Sequence, residues 1–196
     1  MPTVAVIPVK SFRMGKQRLA EAIEDGARAR LGRALADRVA SVAEAASLLP
    51  LIVTADPDVA AWAISSGFPS VADPGAGLDL AASTGVEWAL RSNSRWIVLH
   101  SDLPLIDKDD MTVLARALAD GDTPIAPSAD GGTSAIAGAE LFEFSYGEAS
   151  FHRHLGRLTS PRVVFRLGLA LDIDNPNDLH AAVGHPRGAW LAQSLE

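Results

Sequence analysis

The chain has 196 residues, of which 48% are hydrophobic, and a formal net charge of -7 at pH 7. This length suits a single domain, residues 1–196, with a sizeable buried core. The acidic balance argues against nucleic acid as a partner, because that affinity needs many Lys and Arg side chains to neutralise phosphates. A single nucleotide remains compatible with it, since a local basic cluster or a bound cation can serve one phosphate site.

Composition also limits the compartment and the kinds of metal site. The chain contains no cysteine, which excludes disulfides and thiolate metal ligands. No apolar run reaches the roughly 18 residues that cross a bilayer, and the N-terminal segment lacks the basic start of a signal peptide. We therefore expect a cytoplasmic protein without a membrane partner.

Short β-rich runs alternate with helical patterns along the chain. The predicted strands are residues 4–9 and 51–55, a brief strand at 71, then 96–100, 123–127, 133–137, 163–166 and 169–173. The predicted helices start near Asp25, at Asp56-Pro57, after Gly77, near Asp109, near His152 and at Asn175-Pro176. Asp25 is expected to cap the first of these helices. The segment from Gly184 onward shows no decisive pattern.

This alternation predicts an α/β fold, a single-domain Rossmann-like mixed, mostly parallel sheet with helices on both faces. The run at 96–100 is nearly all apolar, as expected of a central strand that is buried on both faces. In such sheets, ligands bind beyond the carboxyl ends of the strands. The loops at those ends are therefore where functional residues are expected.

Three aspartates follow predicted strands at that edge. Asp102 comes after the apolar run, and Asp172 and Asp174 lie two apart at the end of the last predicted strand, so both should point the same way. Carboxylates beside an anionic substrate repel it, and a hard divalent cation removes this conflict. Proteins usually hold Mg²⁺ with one or two carboxylates plus substrate phosphates. The spacing alone also fits a structural interpretation, in which Asp174 caps the following helix and Asp102 caps a turn.

A basic loop follows the first predicted strand. It carries Lys10, Arg13, Lys16 and Arg18, with Gly15 among them. Cations gathered at the carboxyl end of a strand can bind a triphosphate. The spacing matches neither a P-loop nor a dinucleotide-binding fingerprint, and a solvated basic turn is the alternative.

Two glycine-containing regions are candidates for ligand contacts. The loop that contains Gly77 and leads to Asp79 offers flexible backbone beside a helix start, which suits contact with a base or ribose. Further along, the hydroxyls of Thr133 and Ser150 and the backbone near Gly147 can hold a small phosphorylated acid. Ordinary turn and capping chemistry explains the same residues equally well.

The histidines form no recognisable metal motif. His152 and His154 lack the four-residue helical spacing of a zinc pair, and His100 at a strand end is interpreted as structural. A thiol nucleophile and a Gly-x-Ser-x-Gly elbow are both missing from the sequence. The residues predicted to belong to the core are Trp62, Trp88 and Trp96, and those typical of a helix start are Asp107, Asp109 and Asp110.

Several short segments occur in the order found in one known family. They are Ile7-Pro-Val-Lys10, Lys16-Gln-Arg-Leu19, Gly77-Leu78, Ser101-Asp-Leu-Pro-Leu105, Gly132-Thr133, Tyr146-Gly147, Ser150-Phe-His-Arg-His154 and Leu171-Asp-Ile-Asp-Asn-Pro176. With these segments the chain resembles the guanylyltransferases of coenzyme F-420 biosynthesis, which belong to the MobA-like nucleotidyltransferases. The resemblance extends from about Val4 to Leu179.

The resemblance implies a GTP-dependent transfer of GMP to the phosphate of a three-carbon phosphoacid, with release of pyrophosphate. The acceptor is 2-phospho-L-lactate, phosphoenolpyruvate or, in some members, 3-phosphoglycerate, and the product passes to a deazaflavin transferase. The same resemblance implies that Mg²⁺ is held by Asp102, Asp172 and Asp174. It implies that the phosphoacid is bound by Thr133, Gly147 and Ser150. It also implies that the nucleotide is bound by Lys10, Lys16, Arg18, Gly77 and Asp79.

Two residues depart from the family pattern. Asp79 replaces an Asn that often follows Gly-Leu, and Ser134 stands where Asn or Gly is expected after Gly-Thr. A carboxylate at position 79 can either accept hydrogen bonds from guanine or change the choice of nucleotide. Two alternatives remain open, a MobA-like nucleotidyltransferase with another acceptor and a non-catalytic nucleotide-binding homologue. A homodimer is compatible with the sequence, which does not specify it.

Overall fold

The computed structural model of this protein describes residues 1–195, and the elements below lie in that part of the chain. The strands are β1 (Thr3–Pro8), β2 (Leu49–Thr54), β3 (Ser70–Ala72), β4 (Arg95–Leu99), β5 (Thr123–Pro127), β6 (Thr133–Gly138) and β7 (Pro161–Val163). The α-helices are α1 (Asp25–Ala45), α2 (Pro57–Ser65), α3 (Leu78–Arg91), α4 (Lys108–Ala119), α5 (Ser150–Leu155), α6 (Leu167–Ala170), α7 (Pro176–Val183) and α8 (Leu191–Leu195). Two short 3₁₀ helices cover Gln17–Leu19 and Pro186–Gly188.

The seven strands form one sheet in the order β3-β2-β1-β4-β6-β5-β7. Strand β6 runs antiparallel to β4 and β5, and the other pairings are parallel. The predicted mixed, mostly parallel sheet is thus confirmed. From β1 the chain moves outward to β2 and β3, then returns to place β4 on the other side of β1. The carboxyl ends of β1 and β4 therefore flank the point at which the strand order reverses, where such sheets bind ligands.

Helices cover both faces of the sheet, as predicted. On one face, α1, α2 and α4 bury residues such as Val39 and Leu114 in one cluster with Ile97 of β4. On the opposite face, α3 buries Val86 in a cluster with Val6 of β1. Successive side chains of a strand point to opposite faces, so the nearly all-apolar strands β1 and β4 supply both clusters.

The segment from Gly184 onward is folded. After a 3₁₀ turn, α8 returns the chain to α1, where Leu191 is buried in one cluster with Leu35. The indole Nε1 of Trp190 donates a hydrogen bond to the carbonyl of Pro104 at 3.1 Å. The C-terminal segment therefore packs against the loop that follows β4. Within residues 1–195, no helix is long and apolar enough to cross a membrane.

The two late strands of the sequence prediction are the main errors. Residues 169–173 form no strand, because α6 ends at Ala170 and the chain then continues without regular secondary structure to Asp174. Gly168 packs so closely against the start of α4 that an added Cβ would collide with the carboxylate of Asp110. This tertiary contact, rather than local pattern, bends the segment. Strand β7 ends at Val163, so the predicted strand at 163–166 shares only that residue with it.

The predicted cap of the first helix is also wrong. Asp25 is the first residue of α1, whose N-cap position is held by Glu24 without a side-chain hydrogen bond. The carboxylate of Asp25 instead accepts a hydrogen bond from the guanidinium of Arg28 at 2.7 Å. The other caps follow the sequence, since Asp56 caps α2 and Asn175 caps α7.

Gly85 permits the close contact between α3 and the sheet. A Cβ at this position would lie inside the contact distance of the Val6 and Val53 side chains. We predict that Gly85→Ala lowers the free energy of unfolding by about 1–3 kcal/mol, despite the better helix propensity of Ala, because overpacking outweighs that gain. Urea denaturation measures the change.

Gly32 in α1 provides the matched control. A Cβ there would meet Phe12 at 3.8 Å, which is ordinary van der Waals contact. Gly32→Ala should therefore leave the free energy of unfolding unchanged or raise it by up to about 1 kcal/mol. Equal losses in the two variants would contradict the close packing of α3 against the sheet.

Candidate active site

The loops that follow β1 and β4 meet at one edge of the sheet. β4 leads directly into His100 and Asp102, and the basic loop after β1 reaches the same region through Lys16. The segment after α6 joins them there, because the backbone N–H of Ile173 donates to the carbonyl of Asp102 at 3.2 Å. This main-chain hydrogen bond brings Asp172, from a distant part of the chain, next to Asp102.

His100, Asp102 and Asp172 form a group that could hold a metal ion. One ligand atom of each residue lies within 4.8 Å of the others. Their side chains are largely buried, with 21%, 20% and 16% of their surfaces exposed. Carboxylates and an imidazole within reach of one ion are suited to a divalent metal. Two of the three predicted metal ligands are therefore brought together, and His100 joins them although its spacing in the sequence gave no sign of it.

The charges in this group are only partly balanced. The ammonium of Lys16 donates to the carboxylate of Asp102 and to the carbonyl of Ile173. Burial raises the pKa of Asp102, but the nearby Lys16 ammonium outweighs it and holds this pKa below the usual range. For Asp172, burial and the charge of Asp102 raise the pKa to about 6. A second cation beside Asp172 would relieve this repulsion, so the residues present fit a divalent metal.

Asp174 lies apart from this group. Its carboxylate is about half exposed and faces the guanidinium of Arg18 at 3.8 Å. It does not cap the following helix, because the side chain of Asn175 accepts the hydrogen bonds from the first turn of α7. The structural interpretation of Asp174 as a helix cap is therefore wrong, and the residue is left facing the site.

A large cavity of about 730 Å³ opens at this edge of the sheet. The predicted nucleotide residues Lys10, Lys16 and Gly77 line it, together with Asp102, Asp172 and Asp174. Arg13 points elsewhere, to an exposed ion pair with Asp58. The basic loop thus contributes two lysines to the cavity rather than all four of its cations.

A smaller cavity of about 350 Å³ adjoins the first. Thr133, Gly147 and Ser150, the three residues predicted to bind a phosphoacid, all line it. Arg18 also lines this smaller cavity rather than the large one. The residues common to both cavities are Leu78, His100, Asp172 and Asp174. The two cavities therefore meet at the carboxylate group.

The loop between β6 and α5 forms one wall of the smaller cavity. Gly147 has a φ of 107°, a conformation that favours glycine. The guanidinium of Arg153 fixes the loop by donating hydrogen bonds to the backbone carbonyls of Ser145, Tyr146 and Glu148. Its shape is therefore set by side chains before any ligand binds.

The two residues that depart from the family pattern have defined contacts. Ser134 and its neighbour Thr133 are both fully buried, but only Thr133 lines the smaller cavity, and the hydroxyl of Ser134 donates instead to the carbonyl of Ala126. Asp79 lines neither cavity, and its carboxylate accepts a hydrogen bond from the backbone N–H of Tyr146 at 2.6 Å. Asp79 thus links the start of α3 to the loop of the smaller cavity.

His154 lies beside the smaller cavity without lining it, and the sequence did not reveal its contacts. Its side chain is fully buried and has hydrogen-bond partners at both ring nitrogens, the hydroxyl of Thr133 at 3.0 Å and the backbone N–H of Ser145 at 2.8 Å. Burial lowers its pKa to about 4, so the ring is neutral at neutral pH. A single histidine with partners far away in the chain leaves no spacing signal.

Comparison with known proteins identifies the family. The family model described as guanylyl transferase, CofC like, matches residues 3–193. The chain belongs to this family. The resemblance found in the sequence is confirmed, and the enzyme is a nucleotidyltransferase of the guanylyl transferase class.

Individual relatives agree with this family, and a solved structure shares the fold. A phosphoenolpyruvate guanylyltransferase from Sphaerobacter thermophilus is 34% identical over 205 residues, and the alignment covers 99% of this chain and 99% of the relative. A 2-phospho-L-lactate guanylyltransferase from Methanothermobacter thermautotrophicus is 29% identical, with 100% of this chain and 90% of the relative covered. A protein described as a nucleotide-diphospho-sugar transferase from Desulfovibrio desulfuricans matches the fold with a TM-score of 0.72 at 17% identity, covering 98% of this chain and 95% of that one.

The buried His154 should make stability depend on pH. Its pKa is about 4 in the folded protein and 6.5 in the unfolded chain, so the unfolded chain binds the proton more tightly between these values. Stability is therefore lost as pH falls from 6.5 to about 4, by up to about 3 kcal/mol. The measurement is the free energy of unfolding in urea at a series of pH values.

Two variants isolate this contribution. His154→Phe removes the titrating ring, so the stability difference from the unchanged protein should shrink as pH falls through this range. His152→Phe makes the same change at an exposed position on the same helix and is the matched control. Parallel pH profiles for the unchanged protein and His154→Phe would contradict the burial of a neutral imidazole.

Proposed function

We propose that this protein transfers GMP from GTP to the phosphate of a three-carbon phosphoacid, phosphoenolpyruvate or 2-phospho-L-lactate, and releases pyrophosphate in coenzyme F-420 biosynthesis. The observation that carries the proposal is that two cavities adjoin and share His100, Asp172 and Asp174. A transfer between two anionic substrates needs such a shared wall, because the reacting atoms must meet beside groups that offset their charge. The names of the two relatives supply the pair of candidate acceptors.

The large cavity is the proposed site of GTP. Its volume of about 730 Å³ is in the range of small-molecule sites. Lys10 and Lys16 supply positive charge for the triphosphate. Helix α3 begins at Leu78 after Gly77 without a side-chain cap in the described chain, so backbone N–H groups of its first turn can serve a phosphate or the ribose. The expected contact of the Asp79 side chain with the nucleotide is not found, because its carboxylate lies outside the cavity and accepts from the backbone N–H of Tyr146.

The smaller cavity is the proposed site of the phosphoacid. The hydroxyls of Thr133 and Ser150 and the backbone at Gly147 offer hydrogen bonds, and Arg18 offers positive charge. Tyr146 Oη and His100 Nε2 also belong to residues of this wall, and both atoms are buried without a hydrogen-bond partner among residues 1–195. Because both atoms are buried, an oxygen-rich acid would supply their missing partners only if these two side chains move when it binds.

Asp102 and Asp172, which lie together, are the proposed ligands of Mg²⁺, and Asp174, the third ligand expected from the resemblance, faces the same two cavities from beside Arg18. When bound, the ion would neutralise charge between the two substrates and polarise phosphate oxygens. The raised pKa of Asp172, caused by burial and by Asp102, supports a cation at this position. Lys16 lies at the same wall and contributes a second positive charge toward the nucleotide phosphates.

The reaction needs orientation more than proton transfer. A phosphate oxygen of the acceptor, already ionised at neutral pH, attacks the α-phosphorus of GTP, and the bond from that phosphorus to the leaving pyrophosphate breaks. No general base is required for this nucleophile. The side chains around the two cavities would therefore act by holding both substrates in line. The product is a diphosphate diester, in which a phosphoanhydride bond joins GMP to the phosphate of the acid, and it would pass to a deazaflavin transferase. A homodimer and a cytoplasmic location stay predictions.

Asp172→Asn tests the metal role. We predict a loss of at least about a hundredfold in kcat/KM with Mg²⁺, because one negative ligand is replaced by a neutral amide. The melting temperature measured without metal should stay the same or rise, since the change removes a charge that repels Asp102. Asp109→Asn, at an exposed position in the first turn of α4, is the matched control and should keep full activity. Near-normal turnover by Asp172→Asn would contradict the assignment.

Product formation tests the whole proposal. Pyrophosphate release is measured with GTP, Mg²⁺ and each candidate acid in turn, and the products are analysed by mass spectrometry. A parallel reaction contains the deazaflavin acceptor and its transferase, because the product is labile. A guanylylated product from one acid would support the reaction and name the acceptor. GTP binding without product from any acid would contradict it in favour of another acceptor or a non-catalytic role.

A further inference from the structure

His154 lies next to the proposed phosphoacid site without lining it. The side chain is fully buried on α5, and it is absent from the walls of both cavities. Three aromatic rings surround the imidazole, those of Phe142, Phe144 and Tyr146, with ring centroids 5.6, 6.1 and 4.9 Å away. Among residues 1–195, the two ring nitrogens have no hydrogen-bond partners besides the hydroxyl of Thr133 and the backbone N–H of Ser145.

The contacts of His154 fix which nitrogen carries the proton. The backbone N–H of Ser145 can only donate, so Nε2 of His154 must accept and is unprotonated. A neutral imidazole carries one proton, which therefore lies on Nδ1. That nitrogen is 3.0 Å from the hydroxyl oxygen of Thr133, to which it donates.

The same logic fixes the hydroxyl of Thr133. Its oxygen accepts one hydrogen bond from His154 and a second from the hydroxyl of Ser150 at 3.3 Å. A hydroxyl has two acceptor positions and one proton, so only its capacity to donate remains. Thr133 is fully buried at the wall of the smaller cavity, so only a ligand seated directly against this wall would meet its hydroxyl, and the ligand that suits the remaining donor is an anionic oxygen.

We propose that His154 is a positioning residue that holds Thr133 as an obligatory hydrogen-bond donor to a carboxylate or phosphate oxygen of the phosphoacid, a role that rests on the proposed function. The chain of donors runs from the N–H of Ser145 through the imidazole to the hydroxyl of Thr133. The same ring thereby couples the loop that carries Gly147 to the strand that carries Thr133. His154 moves no proton during the transfer, since the acceptor phosphate is already ionised.

Three variants of His154 separate its two contacts. His154→Phe keeps the ring and removes both hydrogen bonds, so the KM for the phosphoacid should rise about tenfold to about a hundredfold, as expected for a lost bond to a charged ligand. The KM for GTP and kcat should not change. His154→Asn retains a donor near the position of Nδ1, whereas His154→Gln retains an acceptor near Nε2. The Asn variant should therefore keep a lower KM for the phosphoacid than the Gln variant. His152→Phe, exposed on the same helix, is the matched control.

A double-mutant cycle with Thr133→Val distinguishes positioning from general support of the fold. If His154 acts through Thr133, then His154→Phe should raise the KM for the phosphoacid no further when Thr133 is already Val. Independent, multiplying effects of the two changes would overturn the proposal. So would a parallel rise in the KM for GTP, which a loosened fold would produce.

A nitrogen NMR measurement reads the proton position without any activity. Long-range proton–nitrogen correlation of the unchanged protein at neutral pH should show His154 neutral with its proton on Nδ1. A proton on Nε2 would overturn the proposal even if the enzyme is active. If the unchanged protein makes no product from any acid, the proposed function fails while the Nδ1 signal is still seen, so the two failures are distinguishable.

Discussion

Two carboxylates are held side by side at the carboxyl end of the central strand, and the rest of the site is arranged around their repulsion. The main-chain hydrogen bond from Ile173 to Asp102 imposes this arrangement, because it fixes the segment of Asp172 against the end of β4. Lys16 balances one of the two charges, and the other keeps a pKa raised by burial and by its neighbour. Two like charges held side by side destabilise the fold, but they are suited to a reaction that needs a metal ion.

The sheet topology explains why the two cavities meet there. β1 and β4 are neighbours although the chain visits two other strands between them, so their loops face each other across the reversal of strand order. The loop after β1 brings lysines to the large cavity. The antiparallel strand β6 brings Thr133 to the smaller one, with the carboxylates between them. A single sheet thus provides the wall that the two proposed substrates would share and the charged side chains along it.

The sequence predicts those parts of the site that depend on short-range pattern. Asp102 follows an apolar strand, and Thr133, Gly147 and Ser150 occur in recognisable segments, so their placement at one edge could be expected. The prediction of a strand at 169–173 is wrong because a short apolar run does not distinguish a strand from a helix. The close packing of Gly168 decides the path of this segment. The contacts of Asp79 with Tyr146 and of His154 with Thr133 join residues far apart in the chain, which only the folded structure reveals.

X-ray diffraction from crystals grown with Mn²⁺ and a non-hydrolysable GTP analogue tests metal-dependent transfer most directly, because manganese scatters anomalously. We predict an anomalous peak between Asp102 and Asp172, with the nucleotide in the large cavity and its α-phosphate at the wall shared with the smaller one. Nucleotide bound in that cavity without a metal peak at these carboxylates, or nucleotide bound elsewhere, would contradict the role of the two aspartates as the centre of the site.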